Sequence, residues 1–322
     1  AAAWSGSLAM LLALRFAQGV GAAAVRITTM AIVRDCFGGR EMARVMSYVM
    51  IVFMIMPMLA PSVGQLIVAY SNWQWIFILL GAASAGLFLV AFFRMKESLP
   101  VEERLPLSVS SVISGFKTVL TNRITCGYMI GMTLYTGVIS AYVVSVQQVF
   151  GEVYGLGDWF PIAFAATAAG TAVAQFANGY FVRSFGMRRI SHAAMIIFTA
   201  LAILAYLIGM GGIPSFVTTY VLLSIMLMMF AVITTNFMAI GLEPMGHVAG
   251  TAAAITGCIS TTLGAVLGGI VGQMFDGTVQ PLFAGYAIFG ALTIVATLWA
   301  ENGKLFTHPG DSPKLEPGMG HI

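Results

Sequence analysis

Apolar residues occur along this chain in stretches of about 20 or more, and short polar breaks separate the stretches. A helix needs about 20 mainly apolar residues to cross the hydrocarbon core of a bilayer, so each stretch predicts one transmembrane helix. Because most breaks are short, consecutive helices are expected to be antiparallel. The pattern predicts an all-α membrane protein with nine spans, at 8–33, 45–70, 75–95, 124–150, 158–182, 190–210, 214–240, 248–274 and 280–300.

A long polar break at residues 96–123 leaves three spans before it and six after it. Its second half repeats apolar residues at helical spacing, which predicts an amphipathic helix lying on the membrane surface within a linker. The predicted organisation is the remainder of a six-helix bundle at 1–95, this linker, a complete six-helix bundle at 124–300 and a tail at 301–322. The tail is polar and rich in glycine and proline, so it is expected to be disordered.

Charged residues make up 8% of the chain and hydrophobic residues 59%, so the chain cannot cover itself with polar groups as a soluble domain does. When the loops are taken alternately, the positive charges outside the spans fall on one side of the membrane. Positive residues concentrate in cytoplasmic loops, so this side, with the C-terminus, is predicted to be cytoplasmic. The positive residues on it are Arg34, Arg40, Arg44, Arg94, Lys96, Arg104, Lys117, Arg123, Arg183, Arg188, Arg189, Lys304 and Lys314.

Two arginines lie inside the first apolar stretch, where charge is costly. Arg15, Gln18 and Arg26 are spaced i, i+3 and i+11, so one helix face carries all three. An arginine near the bilayer centre costs roughly 2.5–3.5 kcal/mol on insertion scales. This face is therefore predicted to turn toward protein or a wet cavity, as in a transport path. The alternative is that Arg15 and Arg26 extend their long side chains to the two interfaces.

The second apolar stretch contains Pro57, Pro61 and Gly64 within about two helical turns. Proline removes a backbone donor and kinks a helix. Membrane helices tolerate such breaks where neighbouring helices or cavity water satisfy the freed carbonyl groups. The pattern indicates either a helix shaped for gating or a simple kink.

The eighth apolar stretch repeats glycine at every fourth position. Small residues at this spacing form a ridge along which another helix can approach closely. We therefore predict a close helix–helix contact along Gly264, Gly268 and Gly272.

Polar, aromatic and methionine side chains within the six-span bundle are candidates for a substrate cavity. Tyrosine recurs every seven residues in the span 124–150, so these tyrosines share one helix face. Methionine and aromatic walls suit a site that accepts varied apolar molecules. Ordinary helix packing explains any single member equally well. The candidates are Tyr128, Tyr135, Tyr142, Gln175, Asn178, Met229 and Asn236.

Several function classes lack their residues in this sequence. The span interiors contain no Asp or Glu, so no proton relay is evident in them, and no G-x-x-x-x-G-K-[ST] loop for ATP hydrolysis occurs. Three scattered cysteines and four histidines give no metal-ligand spacing. We expect no enzyme activity, no cofactor, no metal site and no nucleic-acid partner, and we expect a monomer in the lipid bilayer.

Three parts of the sequence together resemble the drug:proton antiporters of the major facilitator superfamily. The segments 15–21 (RFAQGVG) and 31–35 (AIVRD) resemble the fourth helix of these proteins. The segment 60–65 (APSVGQ) resembles the antiporter motif of their fifth helix. The segment 242–252 (LEPMGHVAGTA), with the glycine-ridged helix that follows, is similar to the eleventh helix of the bicyclomycin-resistance subfamily.

The resemblance implies a major-facilitator-type bundle, with nine of its twelve transmembrane helices present here. It implies export of small hydrophobic drugs or toxic compounds across the bacterial inner membrane, in exchange for protons and by alternating access. Arg15 would take part in proton coupling, and Pro61 and Gly64 in the direction and sealing of antiport. Three helices, with the acidic residue that carries the proton, would precede residue 1. The fifth-helix motif departs from the usual Gly-Pro-x-x-Gly-Gly at Ala60 and Gln65, variants that fit the subfamily.

The loop between the fifth and sixth spans resembles a second copy of the family's cytoplasmic gating loop, at Gly179, Arg183, Gly186, Arg188 and Arg189. This copy lacks the aspartate of the family pattern. Two other functions remain open on the same sequence. One is a proton-coupled uptake symporter for a small metabolite, and the other is a membrane scaffold whose arginine stripe anchors lipid headgroups.

Overall fold

The computed structural model describes residues 2–36, 63–64, 66–95 and 109–306, together with the single positions 41, 45, 49, 52, 56 and 60. It divides into two compact units, Ala1–Leu107 and Ser108–Ile322. Every regular element within the described residues is a helix, and these residues contain no strand.

The first unit contains two long described helices, α1 (Leu8–Cys36) and α2 (Gln74–Arg94), which cover the first and third predicted spans. With 29 residues, α1 exceeds the length needed to cross the hydrocarbon core. Most of the second predicted span, 45–70, lies outside the described residues, and so do Pro57 and Pro61. Its final part, 66–70, is helical.

The second unit holds the rest of the described helices. They are α3 (Val109–Thr121), α4 (Arg123–Gln148), α5 (Phe160–Phe185), α6 (Met187–Met210), α7 (Phe216–Leu242), α8 (Ala249–Gln273) and α9 (Gln280–Ala300). A π-helical turn at Val149–Val153 extends α4, and short 3-10 turns lie at Gly157–Trp159 and Glu243–Val248.

Polar caps determine where two of these helices begin. The Asn122 side chain accepts the Thr125 N–H at 3.0 Å at the start of α4. The Ser215 hydroxyl accepts the Thr218 N–H at 3.1 Å at the start of α7. Each cap satisfies an N–H group that has no partner within the helix, so the polar break before each apolar stretch fixes the first turn.

Eight helices among the described residues are long and apolar enough to cross a membrane. They correspond to all the predicted spans except 45–70, which is mostly outside the described residues. The chain is therefore a multi-pass membrane protein of the all-α class, as the apolar pattern predicts.

Helix α4 occupies the centre of the second unit, where it packs against α7, α8 and α9. Its inner face joins a core of large apolar side chains from α6, α7 and α9, including the fully buried Phe198, Phe237 and Phe283. The Phe237 ring meets the Tyr128 ring edge-on, with the centroids 4.8 Å apart. Aromatic pairs of this geometry stabilise a core beyond the area that they bury.

The glycine ridge of α8 lies directly against α4. A Cβ atom placed on Gly264, Gly268 or Gly272 would lie 2.4–2.6 Å from side-chain carbons of Thr136, Ser140 or Val144, respectively. The residues on α4 are also spaced by four, so the ridge of one helix follows the facing row of the other. The predicted close contact is confirmed, and its partner is α4.

Within the second unit, helix α3 packs its apolar side against α4 and α8. Val119 is buried in a cluster with Met129 and Ile255, and a Cβ atom on Gly115 would lie 2.8 Å from Cγ2 of Thr251. The apolar positions that predict an amphipathic helix are thus partly used in contacts with α4 and α8.

The beginning of the tail differs from the prediction. Whereas its composition predicts disorder from Glu301, residues 301–306 fold back on the end of the second unit. The Gly303 N–H donates to the Leu298 carbonyl at 2.8 Å, and the Phe306 N–H donates to Nδ1 of His192 at 3.1 Å. Composition alone could not show the contact with His192, because that residue lies more than a hundred positions away from Phe306. Residues 307–322 lie outside the described part.

Replacing Gly268 with alanine should destabilise the second unit by about 1–3 kcal/mol, the usual cost of overpacking. The added Cβ would lie 2.4 Å from Cβ of Ser140 and 2.6 Å from the backbone of Gly137 and Ala141, none of which can move independently of α4. Gly269→Ala is the matched control, because nothing lies within 4 Å of its Cβ position. Both substitutions raise helix propensity equally. Unfolding temperatures in detergent that are the same for the two variants would contradict the close contact.

Candidate functional site

Arg15 of the first unit is held by two neutral side chains. Its NH1 group donates to Oε1 of Gln18 at 3.0 Å, and its guanidinium carbon lies 5.0 Å from the centre of the Phe77 ring on α2. The first contact follows from the i, i+3 spacing on α1, and the second is a cation–π interaction. Arg26 lies farther along α1, but its side chain is not among the described ones.

The fifth-helix motif of the sequence is described at few positions. Gly64 is half-buried and helical, and a Cβ atom at this position would meet nothing within 4 Å. Pro57 and Pro61 lie outside the described residues, so the predicted helix break remains a prediction.

The three tyrosines of the heptad pattern share the inward face of α4, and all are buried. Tyr135 lies edge-on to Phe198, with 5.0 Å between ring centroids, and its hydroxyl has no hydrogen-bond partner among the described residues. The Tyr142 ring stacks on Phe164 of α5 at 5.7 Å. Tyr128 differs from the other two, because its hydroxyl joins a polar cluster at the end of the unit.

Polar candidates on α5 and α7 pair with each other across the helix contact. Nδ2 of Asn236 donates to Oδ1 of Asn178 at 2.8 Å, and both side chains are buried. Nε2 of Gln175 donates to the Ala231 carbonyl at 2.8 Å and to the Thr235 hydroxyl at 2.7 Å. In hydrocarbon such bonds hold helices together, because an unpaired amide would be costly there. Met229, also on α7, is half-buried against the core.

The loop that resembles a gating loop is short, because α5 ends at Phe185 and α6 begins at Met187. Gly186 between them has φ = 82°, a left-handed conformation that favours glycine. Gly179 and Arg183, in the last part of α5, are exposed, and Arg189 is also exposed. Arg188 is not: only 6% of it is accessible.

Arg188 forms two ion pairs inside the second unit. Its Nε donates to Oε1 of Glu301 at 2.8 Å, and its NH1 donates to Oε2 of Glu243 at 2.9 Å. The Glu301 side chain is 9% accessible, so this pair is largely shielded from solvent. The arginine at the start of α6 thereby joins the ends of α7 and α9.

A chain of hydrogen bonds, here called the relay, extends from the ion pair between Arg188 and Glu301. The Tyr128 hydroxyl donates to Oε1 of Glu301 at 2.7 Å and lies 2.9 Å from Nε2 of His192. Like Arg188, both Tyr128 and His192 are buried. Five side chains from four separate parts of the sequence therefore form one connected polar cluster, which we call the ionic cluster: Tyr128, Arg188, His192, Glu243 and Glu301.

Sequence reasoning finds only part of the ionic cluster. Tyr128 and Arg188 are among the predicted residues, whereas His192, Glu243 and Glu301 are not. One available signal is that Arg188 and His192 are four residues apart, so they share a face of α6. A second is that Glu301 directly follows an apolar stretch and therefore sits at the end of a membrane helix.

A cavity of about 350 Å³, open on one side, lies on the second unit between the starts of α5 and α7. Apolar and aromatic side chains line it, among them Trp159, Ile162, Ala166 and Phe216. The Tyr220 hydroxyl is turned to the Ala163 carbonyl at 3.1 Å, so its ring contributes an apolar wall. This volume is at the lower end of the range for small-molecule sites. Among the described residues, no group of three His, Cys, Asp or Glu side chains could hold a metal ion.

Replacing Arg188 with methionine should destabilise the protein by about 3 kcal/mol, because Glu301 would keep a buried charge without its cation. Adding Glu301→Gln to this variant should recover part of the loss, since that change removes the uncompensated charge. Arg183→Met is the control: this arginine is exposed, and its replacement should cost no more than about 0.5 kcal/mol. Unfolding temperatures in detergent measure all three. If Arg188→Met and Arg183→Met were equally mild, the buried pair would not stabilise the unit.

Comparison with known proteins finds relatives along most of the chain. Residues 1–269 match the family model described as Major Facilitator Superfamily. A Bacillus subtilis (strain 168) protein, described as uncharacterized MFS-type transporter YdgK, is 30% identical over 275 residues, covering 84% of this chain and 68% of that protein. A Haemophilus influenzae protein, described as bicyclomycin resistance protein homolog, is 29% identical over 294 residues, covering 89% and 71%.

A solved structure shows the same fold. It is the inward-facing, occupied form of a bacterial homolog to the human lysosomal transporter Spinster, with a TM-score of 0.68 over 94% of this chain and 78% of that one. At 12% sequence identity, this likeness establishes the fold alone.

Proposed function

The chain belongs to the major facilitator superfamily of membrane transporters, and we propose that it exports small hydrophobic drugs or toxic compounds from bacteria in exchange for protons. The protein is proposed to lie in the bacterial inner membrane, with the positively charged loops and the C-terminus in the cytoplasm. Transport follows alternating access, in which the substrate site opens to one side of the membrane at a time. The protein acts as a monomer, without a cofactor.

The setting of Arg15 is the observation that carries the proposal. Both partners that the structure gives to this guanidinium, Gln18 and Phe77, are neutral, so its positive charge is oriented but not cancelled. A positive charge inside an apolar stretch favours the ionised form of an acidic group that approaches it. Binding or loss of a proton at such an acid can thereby be coupled to the conformation of α1.

The direction and class of substrate rest on the relatives and on the apolar cavity. The Haemophilus influenzae relative that covers 89% of this chain is named for bicyclomycin resistance, which supports export of a drug. The cavity beside Trp159 and Phe216 has apolar walls, which suit a hydrophobic compound.

The predicted substrate residues divide into two groups on this view. Gln175 and Met229 keep accessible surface, so they are proposed to touch substrate. Tyr128, Tyr135 and Tyr142 are enclosed by protein, as are Asn178 and Asn236, so they are proposed to shape the walls from behind.

Replacing Arg15 with alanine should abolish proton-driven export while the protein still folds, because Arg15 is exposed and its loss removes the contacts with Gln18 and Phe77 without leaving a buried charge unpaired. The measurement is efflux of bicyclomycin from cells that express the protein, with and without a collapsed pH gradient. Arg94→Ala, at the end of α2 in the same unit, is the control and should export normally.

Other outcomes assign other functions. Normal efflux by Arg15→Ala under a pH gradient would remove this residue from proton coupling. Accumulation of a metabolite in vesicles with an inward proton gradient would favour uptake. The absence of any flux, with altered lipid retention in the Arg15→Ala and Arg26→Ala variants, would indicate a scaffold.

A further inference from the structure

Residues 301–306, here called the terminal turn, leave α9 and fold back toward α4 and α6. The Glu301 N–H donates to the Thr297 carbonyl at 2.9 Å, and the Gly303 N–H donates to the Leu298 carbonyl at 2.8 Å, so the first part is an ordinary helix end. The last part is held differently. The Phe306 N–H donates to Nδ1 of His192 at 3.1 Å, and the Phe306 and His192 rings meet at 5.9 Å.

The directions of these hydrogen bonds fix the state of the His192 ring. A backbone N–H can only donate, so Nδ1 of His192 must be an unprotonated acceptor. Nε2 then carries the proton and donates to the Tyr128 hydroxyl at 2.9 Å. The Tyr128 hydroxyl in turn donates a hydrogen bond to Oε1 of Glu301 at 2.7 Å. The relay runs in one direction, from the Phe306 amide to the Glu301 carboxylate, and the ring is neutral.

The surrounding charges hold both ends of the relay. The Nε of Arg188 donates to the Glu301 carboxylate, which accepts the last hydrogen bond of the relay, and so holds it in place. Two exposed arginines contact the terminal turn from outside: Arg123 donates to the Asn302 side chain, and Arg189 reaches the Phe306 carbonyl at 3.5 Å. Because α4 and α6 both contribute, the terminal turn bridges the ends of three membrane helices.

We propose that the terminal turn acts as a clasp whose closed state is held by one hydrogen bond, from the Phe306 N–H to Nδ1 of His192, which we call the latch. Tyr128 and Glu301 act as positioning residues that hold the ring in the tautomer that this bond requires. While the clasp is closed, the end of α9 is tied to the start of α6. The ionic cluster thus fixes the ring state on which the contact at Phe306 depends. This inference does not depend on the proposed substrate or direction of transport.

Amide hydrogen exchange of the intact protein in lipid nanodiscs, resolved at single residues, tests the latch. In His192→Asn the side-chain oxygen replaces Nδ1 as acceptor, so protection of the Phe306 amide should be kept. In His192→Gln the amide nitrogen replaces Nε2 as donor while the acceptor is lost. Exchange at Phe306 should then be about threefold to tenfold faster. Gly303, whose bond lies within the helix end, should exchange at an unchanged rate in both variants.

A matched pair of tyrosine variants tests the positioning role of Tyr128. Tyr128→Phe removes the hydroxyl that receives the His192 proton, so the ring loses its fixed tautomer and Phe306 should exchange faster. Tyr135→Phe makes the same chemical change one heptad away on α4, where the hydroxyl has no partner among the described residues, and should leave Phe306 unchanged.

Equal exchange at Phe306 in His192→Asn and His192→Gln would overturn the latch. If neither variant folds, the tyrosine pair decides alone, and equal rates in Tyr128→Phe and Tyr135→Phe overturn the proposal. Faster exchange at Gly303 together with Phe306 would also overturn it, because the whole helix end would then be fraying.

Discussion

Hydrocarbon offers no hydrogen-bond partner, and this one constraint shapes most of the described structure. Backbone groups are satisfied by forming helices, and side-chain groups must find partners within the protein. Threonines therefore donate back to their own helix, as Thr133, Thr199 and Thr293 do to the carbonyls four residues earlier. Amides pair between helices, as Asn178 and Asn236 do. The same requirement makes the buried Arg188 recruit two carboxylates.

The ionic cluster and the apolar cavity of the second unit lie at opposite ends of its helices. The ionic cluster lies where α4 and α6 begin and α7 and α9 end, whereas the apolar cavity lies where α5 and α7 begin. Helix α7 has 27 residues, so about 40 Å separates its two ends. One end of the unit is therefore held by ion pairs, and the other carries a pocket lined by apolar and aromatic side chains.

The sequence predicts the fold well because length and apolar periodicity are local properties. The bounds of α2 and α9 follow from apolar runs, and the contact along Gly268 follows from a four-residue repeat. The candidate site is predicted less completely, since its contacts join distant segments. Nothing near Glu301 shows that Arg188 lies beside it, and nothing near His192 shows that a backbone amide after α9 will occupy its free nitrogen. Exposure is also hidden from the sequence: Arg188 and Arg189 are adjacent, yet one is buried and the other exposed.

The glycine ridge of α8 limits how that helix can slide along α4. At each ridge glycine the two helices leave no room for even one added carbon against Thr136, Ser140 or Val144, so a slide that brought a larger residue of α8 to one of these contacts would force the helices apart. Because the glycines recur every four residues, contact of the same kind would be regained only after about 6 Å. The pair can therefore occupy discrete registers but no continuous range between them, and small strains on α8 are passed to α4 rather than absorbed.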